Sequence, residues 1–502
     1  MKFAVIAMAL IACFACSHDK PVTDTVVSEP YPTAKVSLSP DTATLTIGDS
    51  VQLHVTVQDL PVSVTYASSN SEVVTVSANG RVQATGVGMA LVTATSTINS
   101  GAVDAALITV LERNAPNVPG ELEVIGTEGP LYYMTTEVAE ANGFAYTGTC
   151  CTEGSNKAFV WNVQGNIPRM VDTLDLGGVF YVGDVTISDD KSLLLVSTDA
   201  GAQPGVSVYS LANPAKPQLL DRWIGQPYND TLPDRRRGTH TAKFGRVNGK
   251  LYIFGQYTPN IVVLDASDPR KLREIRIFRT SDLLATHDVL VRDGYLFTGD
   301  YETFAIWDVG GARGGTPANP VLVSRTRIPN AYVHNFWWMQ DKKTGNKKYL
   351  FVGDEGPGYY PVRTSGDIHV FDITSLDVPK EVAFFHVLAN TTSNGETAGP
   401  HNFHADEDSG ILYAAFYNGG VRAIDARGDL SNCPGARARN GLCDLRLMGR
   451  ELARGLVDGH VHNGVLHKGE VGIWGVFYDN GRVYAADMLH GLHILDASEL
   501  RR

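Results

Sequence analysis

The sequence predicts an all-β protein: a small β-sandwich followed by a seven-bladed β-propeller. Three observations lead there. One strand ending recurs in seven copies, at Val160-Trp161-Asn162, Val208-Tyr209-Ser210, Val263-Leu264-Asp265, Ile306-Trp307-Asp308, Val370-Phe371-Asp372, Ala423-Ile424-Asp425 and Ile494-Leu495-Asp496, spaced 43 to 71 residues apart. The stretch Thr286–Val309 splits into three alternating runs at Asp293-Gly294 and Tyr301-Glu302, which reads as three antiparallel strands. A four-strand unit repeated at this period is the mark of a propeller. Finally, the chain has 50 glycines and few stretches of helical period.

The order of segments supports two modules. Residues 1–16 open with Met1, a lysine and a short apolar run, MKFAVIAMALIAC, too short to span a bilayer, which reads as a secretory signal. Leu10-Ile11-Ala12-Cys13 looks like a bacterial lipobox with Cys13 as the lipidated residue. Cys16 is the competing site, and an ordinary cleaved signal is the competing reading. The expected location is therefore an exported lipoprotein at the cell surface, outer membrane or periplasm. Residues 17–33 are polar, proline-bearing and aperiodic, as a tether would be.

Residues 34–112 alternate apolar and polar in short runs, among them Lys35–Leu38, Ser50–Thr56, Val73–Val76 and Ala90–Thr95. Turn residues separate the runs, as in a β-sandwich. The pieces VSLSPDTATLTIGDSVQL and YASSNSEVVTVSANGRVQATGVGMALVTAT, with Gly48, Gly80, Gly86 and Gly88 at turns, resemble the bacterial Ig-like group 2 (BIG2) family. That resemblance implies an Ig-like spacer or adhesive domain and no chemistry of its own.

After a linker at 113–120, residues 121–502 form the propeller. The last unit lacks a fourth strand, and Glu121–Ile125 has no unit of its own. It is predicted to complete that last blade and so remove two exposed sheet edges. The runs IVVLDASDPRKL, FAIWDV with NPVLV, IHVFDIT and LHILDAS resemble the LVIVD-repeat propeller family. This implies fold rather than activity, since propellers host many functions. Asp265, Asp308, Asp372, Asp425 and Asp496 each end a strand. A short carboxylate there is expected to accept N–H bonds of the following turn.

A histidine starts the first strand of four consecutive units: His240, His287, His334 and His401. Thr136, Gly183 and Trp474 hold that phase in the other three. First strands line a propeller's channel, so these imidazoles should meet at one level. Imidazole ligates Zn, Cu, Fe and Ni, and the four are candidate ligands for a transition metal such as copper or zinc. The competing reading is a plug of repeat-encoded histidines bonded to their neighbours. The long links 224–238, 388–399 and 451–471, with the loop 355–366, should crowd the same face. Second-tier ligand-binding candidates are His404, His460 and His462 (with His467 nearby), and Arg237, which with Arg235 and Arg236 could hold an anion. His404 is three residues past His401, so it faces elsewhere in a regular strand.

Cys433 and Cys443 share one polar loop and are expected to form a disulfide on the opposite face. Adjacent Cys150 and Cys151 could be a vicinal disulfide, metal ligands or free thiols. A net charge of −12, spread without a long acidic block, argues against nucleic acid. No GxSxG, HExxH, Walker or dinucleotide motif is present, which disfavours phosphoryl and hydride transfer.

Two functions follow. One is a surface binding module for an extracellular protein, glycan or small molecule, touching the membrane only through its lipid anchor. The other is a metal-dependent oxidoreductase. Its channel histidines are similar in arrangement to the selenium-binding protein/methanethiol oxidase family, which would imply oxidation of a small molecule.

Overall fold

The computed structural model describes residues 35–501 except 60, 87, 112–118, 130–132, 152–153, 200, 227–237, 258, 281–285, 330, 356–365, 388–398, 434–437, 440, 457–460, 463–464 and 467–471. The fold is all-β, with a single short 3-10 turn at Ser498–Arg501 among the described residues.

The N-terminal module is a sandwich. Thr42–Thr46, Val103–Leu111, Gly88–Ser96 and Val64–Ser68 form one sheet in that spatial order. Smaller sheets pair Lys35–Ser39 with His54–Gln58, and Ser50–Gln52 and Val74–Val76 with Arg81–Ala84. Alternation explains the layers: in Gly88–Ser96, Val92 and Ala94 are buried, and they join Val36, Leu38, Leu53, Val74, Val82, Ala106 and Ile108 in one core.

Beyond it, seven sheets among the described residues contain a four-stranded antiparallel meander. Their innermost strands are Met134–Ala141, Val182–Ile187, Ala242–Val247, Val289–Arg292, Val333–Trp338, Phe403–Asp406 and Ile473–Asp479. Each contacts the next, and the seventh contacts the first. This is the arrangement of a β-propeller. Apolar residues of neighbouring sheets fill the gaps, as where Phe297, Phe304 and Ile306 of the fourth meet Phe336, Leu350 and Phe371 of the fifth.

Glu123–Glu128 pairs antiparallel with Gly491–Asp496 and is the fourth strand of the seventh sheet. Just before it, Gly120–Glu121 pairs with Glu451–Gly455 of the sixth. The N-terminal end of this region thus ties the last two sheets together. The strand-ending aspartates behave as short N–H acceptors. Asp265, Asp372, Asp425 and Asp496 each accept from the backbone two residues on, and Asp308 accepts from both Gly310 and Gly311. Cys433 and Cys443 are bonded to each other. Leu442–Asp444, within that loop, adds in parallel to Lys380–Phe385 and covers the outer edge of the fifth sheet.

The closing strand has no slack at Gly126, where a Cβ would stand 2.1 Å from the carbonyl oxygen of Asn166. Gly126→Ala should lower stability by roughly 1–3 kcal/mol in thermal or urea unfolding. Gly165→Ala, with open space around its Cβ position, should change it little. Equal melting of the two variants would contradict the role given to the closing strand.

Candidate functional site

The site is built by an irregularity repeated from sheet to sheet. In the first sheet Thr135 pairs with Thr149 and Val138 with Thr147, so Thr136 and Glu137 together oppose Gly148. Register shifts also occur at Val182/Asp184, Val333/Phe336 and Ile473/Gly475. In the fourth sheet His287 N donates to Gly299 O while Gly299 N donates to Asp288 O. In the sixth, His401 and Asn402 share Ala415 in the same way. Two residues opposite one make a β-bulge, which re-aims side chains that strict alternation would send to opposite faces. His287, His334 and His401 therefore fall on the bulge, while in the regularly paired third sheet His240 N donates to Gln256 Oε1.

The four histidines come together. Ring centroids are 4.9 Å apart for His240 and His287, 4.0 Å for His287 and His334, and 4.1 Å for His334 and His401. Trp474 continues the row 4.4 Å from His401. Tyr181, Tyr332 and Tyr417 flank it, 5.3, 5.6 and 5.2 Å from His240, His287 and His401. At Gly183 the row is broken for lack of room, since a Cβ there would lie 2.2 Å from the His240 carbonyl oxygen.

Carboxylates approach from two directions. Residues just past the second strands come from the mouth: Asp199 Oδ2 is 3.4 Å from His240 Nδ1, and Glu355 Oε2 is 3.5 Å from His334 Nε2. Glu355 Oε1 accepts from the Tyr417 hydroxyl at 2.5 Å and lies 4.0 Å from His401 Nε2. From below, Glu137 Oε1 is 3.4 Å from His401 Nδ1. Deeper still, Lys243 Nζ donates to Asp184 at 2.7 Å, with Asp288 and Glu137 as further electrostatic partners.

Burial sets the protonation states. It pulls His287 and His334 well below the ordinary imidazole value, helped by the neighbouring imidazoles. It takes His401 down to about 4. For His240 burial acts the same way, but the hydrogen bond and charge of Asp199 outweigh it and hold its pKa up. Glu137 is raised well above the carboxylate range by burial and by Asp184, and burial pushes Asp288 up to about 6. Among the described residues both ring nitrogens of His334 have no hydrogen-bond partner, whereas His287 bonds to the backbone of His334 and His401 to that of Trp474.

Other expectations resolve differently. His404 does not join the group: its ring packs between Trp337 and Phe477, and its Nδ1 accepts from Tyr478 N. The bulge ends before it, so regular alternation turns it between sheets. Cys150 and Cys151 are bonded to each other, which removes the thiolate-ligand and free-thiol readings. Cys13, Cys16, Arg235, Arg236, Arg237, His460 and His467 lie outside the described residues, and His462 is described only as part of the short strand Val461–His462.

Glu355, Glu137, Asp184, Asp288 and Lys243 are missed by sequence reasoning. Four of them had one available signal. Glu137, Asp184 and Asp288 directly follow the histidine phase, and Lys243 lies three residues after it.

Against known proteins, the N-terminal module finds a counterpart. Residues 32–106 match the family model of the bacterial Ig-like domain, group 2. No curated protein matches the chain. Among solved structures, a functionally unknown protein from Desulfotomaculum acetoxidans is 12% identical with a TM-score of 0.44, over 68% of this chain and 90% of its own. The computationally designed Ika8 protein is 12% identical with a TM-score of 0.42, over 74% and 99%. The Cps50 (Swd1) β-propeller domain of Myceliophteria thermophila is 11% identical with a TM-score of 0.46, over 75% and 99%. The propeller arrangement of this chain rests on its own strand pairing.

His401 gives the site a pH signature. Its folded-state pKa is about 4, against an unfolded value of about 6.5. The unfolded chain therefore takes the proton first as pH falls. Stability from this group is complete above about pH 6.5 and drains toward pH 4. Asp288, raised in the fold, acts in the opposite sense. In chelator, wild type should lose roughly 2 kcal/mol more than His401→Asn between pH 7.5 and pH 5, read from urea midpoints. Parallel losses would contradict the assignment.

Proposed function

We propose that this chain is an exported, lipid-anchored binding module, in which a group 2 Ig-like domain carries a seven-bladed LVIVD-repeat propeller that takes its ligand at the histidine-lined mouth. One observation carries the reading: His240, His287, His334 and His401 converge with Trp474, Tyr417 and Glu355 in one place. Flat rings beside a few convergent polar groups are the usual makings of a ligand site.

The rings are largely buried, His334 to 1% exposure and Trp474 to 6%. A partner reaches them as a small molecule or by inserting a narrow group, such as a sugar residue or a peptide end. The Ig-like domain supplies distance from the anchor. No helix among the described residues is long and apolar enough to cross a membrane, and attachment in this reading comes from the lipid on Cys13. The runner-up, a metal-dependent oxidoreductase, shares the same mouth and depends on whether an ion is held there.

Two measurements test the proposal. Metabolic labelling with palmitate should mark the wild-type protein and not Cys13→Ser; label surviving in Cys13→Ser but lost in Cys16→Ser would move the anchor. In a thermal-shift screen of mono- and oligosaccharides, short peptides and small metabolites, hits should vanish in Trp474→Leu and persist in Phe180→Ala, a change at an exposed side chain. Hits that survive Trp474→Leu would place recognition elsewhere and overturn the proposal.

A further inference from the structure

We infer that the mouth holds a divalent first-row transition ion, Zn2+ or Cu2+, bound by His287, His334 and Glu355, with His401 as the fourth ligand in reach. The inference deepens the reading of the mouth as the ligand site and rests on it.

The donors are already gathered. One nitrogen of His287, one of His334 and a carboxylate oxygen of Glu355 lie within 4.8 Å of one another. Ligand atoms at about 2.0–2.1 Å from a shared tetrahedral ion stand about 3.3 Å apart. Small side-chain rotations bridge that difference, and His334 Nε2 and Glu355 Oε2 already stand 3.5 Å apart.

The stronger observation is what these side chains lack. His334 is buried to 1% exposure, and neither ring nitrogen has a hydrogen-bond partner among the described residues. Each buried polar atom left unpaired costs about 1–3 kcal/mol. That cost at His334 is explained if the lone pair of its ring serves a bound cation.

A second acid–histidine group shows the contrast. Asp487 lies 3.2 and 3.3 Å from ring nitrogens of His490 and His493, and also accepts from the N–H groups of Gly472 and Leu489. His493 Nδ1 pairs with Thr127 Oγ1 at 2.7 Å. Those residues satisfy one another and need no ion.

The protonation states suit the role, because burial keeps His287, His334 and His401 neutral with a lone pair to offer. Imidazole and carboxylate without thiolate suit Zn2+ or Cu2+ better than Mg2+ or Ca2+, which prefer all-oxygen sites. An outer shell is also present. Glu137 Oε1 sits 3.4 Å from His401 Nδ1, so that with Nε2 on the ion the Nδ1–H would donate to Glu137. Tyr417 fixes Glu355 through its hydroxyl. His240 stays outside, held by Asp199.

The test uses the full chain without a histidine tag, stripped with chelator and titrated calorimetrically with ZnCl2 and with CuCl2. About one ion per chain should bind, and His334→Asn and Glu355→Gln should each weaken binding by about tenfold or more. Glu137→Ala, which removes the acceptor for His401 Nδ1–H, should weaken it by about 10–100-fold and alter the Cu2+ electron paramagnetic resonance spectrum. Asp487→Asn should leave affinity unchanged. If His334→Asn fails to fold, Glu355→Gln decides alone, since Glu355 lies at the more open edge of the site. A folded wild type that binds neither ion, or binding untouched by Glu355→Gln, overturns the inference. Mouth-dependent hits in the ligand screen on stripped protein would then leave the binding module standing without the ion.

Discussion

The extra residue at the start of the innermost strands is the constraint on which the site depends. A regular strand would turn one residue of each pair to the axis and bury the other between sheets. Asp184, Asp288 and Glu137 would then enter apolar layers, where an unpaired carboxylate is costly. The bulge lets both residues of the pair face inward. Two tiers result: imidazoles toward the mouth, and below them carboxylates gathered around Lys243.

The tiers differ in how they meet the cost of burial. In the lower one, Lys243 donates to Asp184 and feels Asp288 and Glu137, so charge is balanced within the protein. In the upper one, burial keeps His287, His334 and His401 neutral, and both ring nitrogens of His334 have no hydrogen-bond partner among the described residues. Buried polar side chains usually find a hydrogen-bond partner. A scaffold of seven interlocked sheets can hold such a group because the packing between sheets supplies the stability that the site forgoes.

Much of the architecture was legible in the chain. The recurrent strand endings mark the third strands of the sheets, and the aspartates that close them accept turn N–H groups because a short carboxylate reaches the backbone two residues on. The common phase of the histidines was equally visible, since it needs only the repeat. What alternation hides is the neighbour. Glu137 and Asp288 look core-facing under a period of two, and only the bulge brings them to the axis. Glu355 follows a second strand, and no repeat in the sequence ties the residues at that place to the histidines. His404 shows the complementary error, because histidines close in sequence part company once the bulge has ended. Cys150 and Cys151 leave three chemical states open in sequence, and only their geometry selects the bond.

The measurement that bears most directly on this account is an anomalous-scattering map at the zinc absorption edge, from crystals of the full chain grown with ZnCl2. The account predicts a single strong peak between His287, His334 and Glu355, with His401 turned toward it and His240 still on Asp199. Imidazoles hydrogen-bonded to one another with no peak among them, or density only beside Asp487, His490 and His493, would contradict it.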